Sequence, residues 1–169
     1  PWTDPCLHCH AEADERLLHR APLRELTAGD LRRFTADALT TWGDLTDLKH
    51  FLPRILEIAA TEGFDHPDVE VVYGHLAHGG FPGWPPLERA AVLDLALAHW
   101  QAELAGEGDH ESLLAAVMVI ADDLTPFLAV WEQSEKPHVL LALGEYAEEV
   151  GHIRRGRRRW NAYLEVGCP

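Results

Sequence analysis

The sequence predicts an all-α protein, an irregular multi-helix bundle or a set of stacked helix pairs, in a single domain over residues 1–169. Apolar residues recur at three- and four-residue steps along most of the chain, and no long stretch alternates with the period of two that marks a strand. With 169 residues, of which 47% are hydrophobic, the chain can bury one core and is too short for two ordinary domains. No repeat of fixed period is present, which disfavours a solenoid.

Eight or nine helices account for the periodic stretches. The first is expected at about residues 11–20. Thr27, followed three residues later by Asp30, resembles a capping box that opens a second helix, which we expect to end at Gly43. The third helix contains Pro53, which predicts a kink or a broken turn, because proline removes one backbone hydrogen bond.

The second half of the chain is predicted to be helical on both sides of one irregular segment. The glycines and prolines of GGFPGWPP, residues 79–86, defeat regular structure and suggest a hinge or a surface lip. The segment ESLLAAVMVIADD is nearly apolar all round and is expected to be the central helix of the core. Further helices are expected at about 68–78, 86–105, 126–132, 137–153 and 154–165.

The overall charge excludes some functions. A formal net charge of -14, from 28 acidic and 14 basic residues, repels phosphate backbones and argues against nucleic-acid binding. The longest apolar run, LLAAVMVIA, is about half the ~20 residues that cross a bilayer, so no membrane span is predicted. The first ten residues lack the features of a secretory signal, and we therefore expect a cytoplasmic protein.

The segment PCLHCH carries candidate metal ligands. Cys6 and Cys9 have the Cys-x-x-Cys spacing of a zinc knuckle, and His10 or His8 could supply a third ligand. Cys168 could complete a structural zinc site and join the two ends of the chain. The first ten residues are accordingly expected to be loose or stapled by the metal. A disulfide from one of these cysteines to Cys168, or reduced thiols with no metal, are the alternatives.

The same segment also fits the Cys-x-x-Cys-His pattern of c-type haem attachment, in which Cys6 and Cys9 form thioethers and His10 ligates iron. This interpretation requires a second axial ligand, and Met118, the sole methionine, lies in the predicted core helix. It also requires export, for which the sequence shows no signal. Haem is therefore less favoured than zinc.

Two further pairs of potential metal ligands have the spacing that places both side chains on one helix face: Asp47 with His50, and Glu149 with His152. Di-iron bundles build their centres from such pairs when they point inward. At ~100° per residue, the two members of each pair lie roughly 110° and 170° from the apolar stripe of their helix. We therefore expect them to face water, where only a shallow metal site could form.

Eleven histidines are present in the chain. His75 and His78 are three residues apart in the predicted helix over about 68–78. The apolar residues of that helix, Val69, Val72, Tyr73 and Leu76, claim its core side. Both histidines are therefore expected to be exposed.

An arginine cluster and one tryptophan are candidate partner-binding residues. The cluster in RRGRRRW could bind an acidic protein surface, but we expect most of it to pair with the domain's own carboxylates. It consists of Arg154, Arg155, Arg157, Arg158 and Arg159. Trp84 lies in the irregular segment, where it is either folded onto the core or presented to a partner.

The stretch LTTWGDLTDLKHFLPRILE, residues 39–57, with PLRELTAGDLRRF before it, resembles a group of uncharacterised bacterial helical proteins. The resemblance implies a bacterial origin and no particular chemistry. The chain has no nucleophile elbow, phosphate loop, His-Glu-x-x-His or dinucleotide fingerprint. We therefore interpret it as a non-enzymatic protein-interaction module. A metal-dependent enzyme that uses Asp, Glu and His on helix surfaces is the alternative.

Overall fold

The computed structural model describes Thr3, Cys6, residues 8–106 and 110–134, and Pro137. The all-α class is confirmed. These residues form seven α-helices and two short 3-10 helices, fewer than the eight or nine helices expected for the whole chain, and the last two predicted helices lie outside the described residues apart from Pro137. The helices are α1 (Glu12–Leu18), α2 (Ala28–Asp37), α3 (Leu45–Thr61), α4 (Val69–His78), α5 (Pro86–Ala105), α6 (His110–Met118) and α7 (Thr125–Glu132).

Helix α2 begins as predicted and ends earlier than predicted. Thr27 N–H donates to Asp30 Oδ2 at 2.8 Å, and Asp30 N–H donates to Thr27 Oγ1 at 3.3 Å, which confirms the capping box. The helix stops at Asp37 rather than at Gly43. The chain leaves the helical path at Ala38, whose ψ is 139°, and Leu39 follows with a left-handed φ of 62°. The three residues after Leu39 all donate their N–H groups to Asp37 O.

Helix α3 follows a loop at residues 38–43, which we call the α2–α3 loop. Asp44 caps the helix by accepting hydrogen bonds from the N–H groups of Thr46 at 2.7 Å and Asp47 at 3.0 Å. The helix runs unbroken through Pro53, so of the two predicted alternatives the broken turn does not occur, and the kink stays a prediction. Pro53 is exposed, and packing of the opposite face maintains the helix where local chemistry disfavours it. The buried residues are Leu48, Phe51, Leu52, Ile55, Leu56 and Ile58.

The core lies around α6, the helix predicted to be central. Helix α4 makes its most extensive contacts with α6, and α5 packs against both α6 and α7. Helix α6 ends at Met118, earlier than predicted. Residues 119–121 follow it outside the helix and are also buried. Trp42, Trp100 and Trp131 are buried; Trp42 lies in the α2–α3 loop, Trp100 in α5 and Trp131 in α7. Of the helices described, none is both long and apolar enough to span a membrane.

The glycine- and proline-rich segment after α4 is anchored to the core. It contains a short 3-10 helix at Phe81–Gly83. Phe81 is 0% exposed and Trp84 is 6% exposed. Trp84 Nε1 also donates to Gly79 O at 2.8 Å. The two aromatic side chains therefore hold a segment that the sequence left open as a hinge or a lip.

We predict that Gly43→Ala destabilises the protein more than Gly63→Ala. The two glycines have φ values of 69° and 71°, so both substitutions carry the cost of a left-handed residue. A Cβ at Gly43 would lie 2.9 Å from Asp47 Oδ2 and 3.0 Å from Asp47 Cβ, whereas a Cβ at Gly63 would meet nothing within 4 Å. We expect losses of about 1 kcal/mol for Gly63→Ala and ~2–3 kcal/mol for Gly43→Ala in urea unfolding. Equal losses would contradict the steric explanation.

Candidate functional site

The described residues of the N-terminal segment are bound to the rest of the protein rather than loose. Thr3 N–H donates to Glu15 Oε1 at 2.8 Å, and the Thr3 hydroxyl donates to Glu15 Oε2. Trp42 Nε1 donates to Thr3 Oγ1 and, at 3.1 Å, to Glu15 Oε2. His19 Nε2 lies 3.0 Å from Glu15 Oε1. A single carboxylate therefore connects the N-terminal segment, α1 and the α2–α3 loop.

Glu15 is only 3% exposed, and its charge depends on these hydrogen bonds. Burial by itself raises the pKa of a carboxyl group. The hydrogen bonds from Thr3, His19 and Trp42 favour the ionised form and together hold the pKa of Glu15 below its ordinary value. The carboxylate is therefore charged at neutral pH, and its oxygens are occupied by groups of the protein itself.

Cys6 and Cys9 lie in a tight turn that is anchored on the α2–α3 loop. The N–H groups of Cys9 and His10 both donate to Cys6 O, at 2.9 Å and 3.0 Å. Cys6 N–H donates to Thr41 O at 2.8 Å, and the Arg33 guanidinium donates to Cys9 O at 2.8 Å. We call the segment from Cys6 to His10 the cysteine turn. Both cysteines are half-buried in it.

His10 packs this turn onto the core. Its side chain is buried, and its ring centroid lies 4.5 Å from that of Trp42. Nε2 lies 2.9 Å from Thr41 Oγ1 and 3.8 Å from Asp37 Oδ2, while Nδ1 is buried with no hydrogen-bond partner. Burial lowers the pKa of His10, although the Asp37 carboxylate opposes this effect. The imidazole is therefore neutral at pH 7, which is the form that binds metals.

The predicted zinc site is only partly within the described residues. In the part of the chain that the structure describes, no three Cys, His, Asp or Glu side chains are arranged to hold a metal ion. Cys6, Cys9 and His10 would need Cys168 as a fourth ligand, and Cys168 lies outside that part. The zinc staple stays a prediction. Haem attachment also stays a prediction, and its candidate axial ligand Met118 is 8% exposed in α6.

The predicted metal site on the helix surfaces also lies only partly within the described residues. Asp47 Oδ2 accepts the N–H of Asp44 at 3.0 Å, so this carboxylate serves the cap of α3. His50 is exposed, as the angular analysis predicts. Glu149 and His152 lie outside the described residues. The four-ligand site therefore stays a prediction.

Trp84 adopts the folded-down alternative of the two that the sequence left open. Its ring packs against Phe81 at a centroid distance of 5.3 Å, and Lys49 Nζ lies 4.2 Å from its centroid, in a cation–π contact. A partner would therefore reach only the 6% of Trp84 that remains exposed. The other predicted partner-binding residues, Arg154, Arg155, Arg157, Arg158 and Arg159, fall outside the described residues.

His75 does not face water, and the prediction that it does is wrong. It is 1% exposed, whereas His78 is exposed as predicted. His75 Nε2 donates to Thr35 O at 2.8 Å. Thr35 lies in the last turn of α2, where carbonyl groups have no helical N–H partner, so the imidazole supplies the missing donor. Sequence patterning missed this residue because positions 71–76 of α4 are all buried, which leaves that stretch no polar face.

A half-open cleft that the sequence did not predict lies between the end of α3, the start of α4 and α6. Its volume is about 330 Å³. Glu70 Oε2 is buried in its wall without a hydrogen-bond partner, and Asp68 adds a second carboxylate. The cleft therefore favours cations over anions. It is lined by Ala59, Gly63, Phe64, Pro67, Asp68, Val69, Glu70, Val72 and Ser112, which come from three separate stretches of sequence.

We predict that Glu15→Gln lowers stability at pH 7 and reduces its dependence on acid. The amide keeps the shape of the carboxylate but presents one donor where acceptors are required, and we expect a loss of ~2 kcal/mol. Because the pKa of Glu15 is lowered on folding, its stabilisation is complete above its ordinary pKa and is lost as the pH falls below it. Urea unfolding at pH 7 and pH 3 should show the two proteins converging at low pH.

Glu12→Gln is the matched control for this experiment. Glu12 pairs with Arg16 at 2.7 Å, but the two side chains are 74% and 66% exposed. Exposed pairs of this kind contribute less than about 1 kcal/mol. A Glu15→Gln protein as stable as Glu12→Gln at pH 7 would show that Glu15 does not hold the N-terminal segment in place.

We predict that His75→Phe destabilises the protein at pH 7 by ~1–3 kcal/mol, because the buried Thr35 carbonyl loses its donor. Burial lowers the pKa of His75 to about 4. The unfolded chain therefore takes up the proton first, and this histidine makes the native state lose stability as the pH falls from about 6.5 to about 4. Urea unfolding across that range should show a smaller loss for His75→Phe than for His78→Phe, the exposed control. Parallel pH profiles of the two variants would contradict the assignment.

No protein-family model, curated protein or solved structure matches the chain. The resemblance of residues 39–57 to bacterial helical proteins stays a prediction.

Proposed function

We propose that this protein is a non-enzymatic protein-interaction module that binds its partner through residues 82–87, which we call the lip and which are exposed except for Trp84. The observation that carries this proposal is Leu87, whose side chain is 86% exposed. Among the described residues, the other exposed large hydrophobic side chain is that of Leu17, at 38%. Leu87 is also part of a patch, since Pro82, Pro85, Pro86, Ala90 and Ala91 around it are exposed.

The contacts beneath the lip support its role as a preformed binding element. Arg89 Nη1 donates to Pro82 O at 3.2 Å. Lys49 Nζ lies 2.6 Å from Glu88 Oε2 and also covers the ring of the buried Trp84. Prolines further restrict the backbone. A rigid segment loses little conformational entropy when a partner binds it, so its apolar contacts contribute more of their free energy to affinity.

Charge indicates the chemistry of the partner. Residues 1–134 contain 23 acidic and 8 basic residues, a net charge of -15. Beside the lip, the Asp122 carboxylate lies 3.7 Å from Arg89 and is 79% exposed, and Asp123 follows it in an exposed turn. A complementary partner would therefore offer an apolar pocket for Leu87 with basic side chains at its rim.

A metal-dependent enzyme or metal-binding protein is the rival proposal from another functional class. Metal analysis of the purified protein, before and after His50→Ala and His152→Ala, separates it from the first, because unchanged metal content would exclude the surface site. Its ligands would be Asp47, His50, Glu149 and His152. A structural zinc at Cys6, Cys9, His10 and Cys168 is compatible with either function, and bound zinc together with unreactive thiols would support it.

We predict that Leu87→Asp weakens partner binding at least tenfold, which corresponds to about 1.4 kcal/mol or more. The substitution removes an apolar anchor and adds a negative charge. Because basic side chains at the rim of the pocket would not repel that charge, the loss of affinity would report the lost apolar contact. A photo-crosslinking amino acid at position 87 would first identify the partner in cells. The affinity of the purified pair would then be measured by calorimetry with the wild-type and substituted chains.

Leu17→Asp is the matched control, since it changes the same residue type at an exposed site on α1. It should leave the affinity unchanged, and both variants should unfold at the wild-type urea concentration. Crosslinks from position 87 to residues beyond 137 of the same chain, or to a second copy of it, would contradict the proposal. So would a Leu87→Asp chain that binds as tightly as Leu17→Asp.

A further inference from the structure

We infer that Cys6 and Cys9 form a redox-active dithiol, which low-molecular-weight disulfides convert reversibly to an intramolecular disulfide. The dithiol is inferred without reference to the proposed partner binding. It differs from the sequence-based alternatives, in which Cys168 supplies the second sulfur of a disulfide or the last zinc ligand. The inference rests on the backbone geometry of the cysteine turn and on its anchoring.

The backbone of the cysteine turn brings the two residues within reach of a disulfide. The Cys9 N–H donates to Cys6 O at 2.9 Å, which closes a four-residue turn. The ends of such a turn have Cα atoms less than about 7 Å apart, and disulfides join Cα atoms ~4.4–6.8 Å apart. Both side chains are half-buried and thus accessible to a small reagent. A bridge can therefore form with little movement of the backbone.

The turn is held in place on both sides. Cys6 N–H is bonded to Thr41 O, and Arg33 is bonded to Cys9 O. The His10 side chain adds a third connection, to Thr41 Oγ1 at 2.9 Å. Anchored backbone on either side keeps the two thiols at a high effective concentration relative to each other. Closure of the ring is then favoured over a lasting mixed disulfide with the reagent.

Cys9 lies beside an exposed side chain, since His8 Nδ1 lies 3.9 Å from Cys9 Sγ. Thiol–disulfide exchange begins with the attack of one thiolate on a disulfide sulfur. Cys9 is the thiol that we assign to this first step.

The exchange balances with glutathione disulfide as the oxidant. Cys9 Sγ attacks one sulfur of the reagent, forms a mixed disulfide and releases one glutathione thiolate, which takes up a proton. Cys6, after losing its own proton, attacks Cys9 Sγ and releases the second glutathione. The protein loses two electrons and two protons, and one disulfide of the reagent becomes two thiols.

The test is a redox titration of the purified full-length chain. Its zinc content would be measured first, and the protein would then be equilibrated in glutathione buffers whose reduced-to-oxidised ratio spans about 1:1 to 1000:1, alkylated and mapped by mass spectrometry. We expect the peptide that contains Cys6 and Cys9 to lose the mass of two hydrogens relative to its reduced form and to carry no alkyl group. Cys168 should still react with the alkylating reagent. Excess reduced glutathione should restore both thiols.

Two variants sharpen the result. Cys168→Ser should oxidise like the wild type. Cys6→Ser should stop at a mixed disulfide of Cys9 with glutathione. Three outcomes would overturn the inference: a bridge that contains Cys168, two thiols that stay alkylatable in the most oxidising buffer, or a tightly bound zinc ion that keeps both thiols unreactive.

Discussion

The structure depends on one buried charge, the carboxylate of Glu15. Placing a carboxylate in the interior costs several kcal/mol unless hydrogen bonds replace its water. Here the donors are Thr3, His19 and Trp42. The same Trp42 packs against His10 and against Phe34 of α2 at 5.7 Å, so the polar contact is continuous with the aromatic core. Removing the charge would leave buried donors unpaired at the point where the N-terminal segment, α1 and the α2–α3 loop meet.

Most helix starts could be predicted from the sequence, because caps are local. Thr27 and Asp30 bond to each other across three residues, and α4 begins at Val69, within one residue of its expected start. The ends and continuations were harder to predict, because they depend on residues far away in sequence. Helix α2 stops at Asp37, and Leu39 follows in a left-handed conformation. The buried imidazole of His75, in α4, donates a hydrogen bond to a carbonyl group in the last turn of α2. Helix α3 passes Pro53 because its opposite face is packed on the core.

The candidate sites show the same division between local and distant information. The spacing of Cys6 and Cys9 could be read from the sequence, and it does correspond to a tight turn. The sequence could not show that Thr41 would hold this turn, since Thr41 lies 35 positions after Cys6. The exposure of His50 followed from helical periodicity. His75 failed the same test, because periodicity locates a buried face only on a helix that also has an exposed one.

The α2–α3 loop connects the two features to which we assign function. At one side, Thr41 in the loop binds the backbone of Cys6 and the ring of His10. At the other side, the loop lies close to Gly79, since a Cβ on Gly79 would lie 3.2 Å from Leu39 Cδ1. Gly79 O in turn accepts the indole N–H of Trp84 in the lip.

Leu39 holds a left-handed conformation that costs a non-glycine residue roughly 1–2 kcal/mol, so the surrounding packing must maintain it. Packed interiors transmit displacements rather than absorb them, because they contain little free volume. A change at the cysteine turn that moved Thr41 would therefore displace Leu39. Through the close contact of Leu39 with Gly79, it would also displace the carbonyl group to which Trp84 of the lip is bonded.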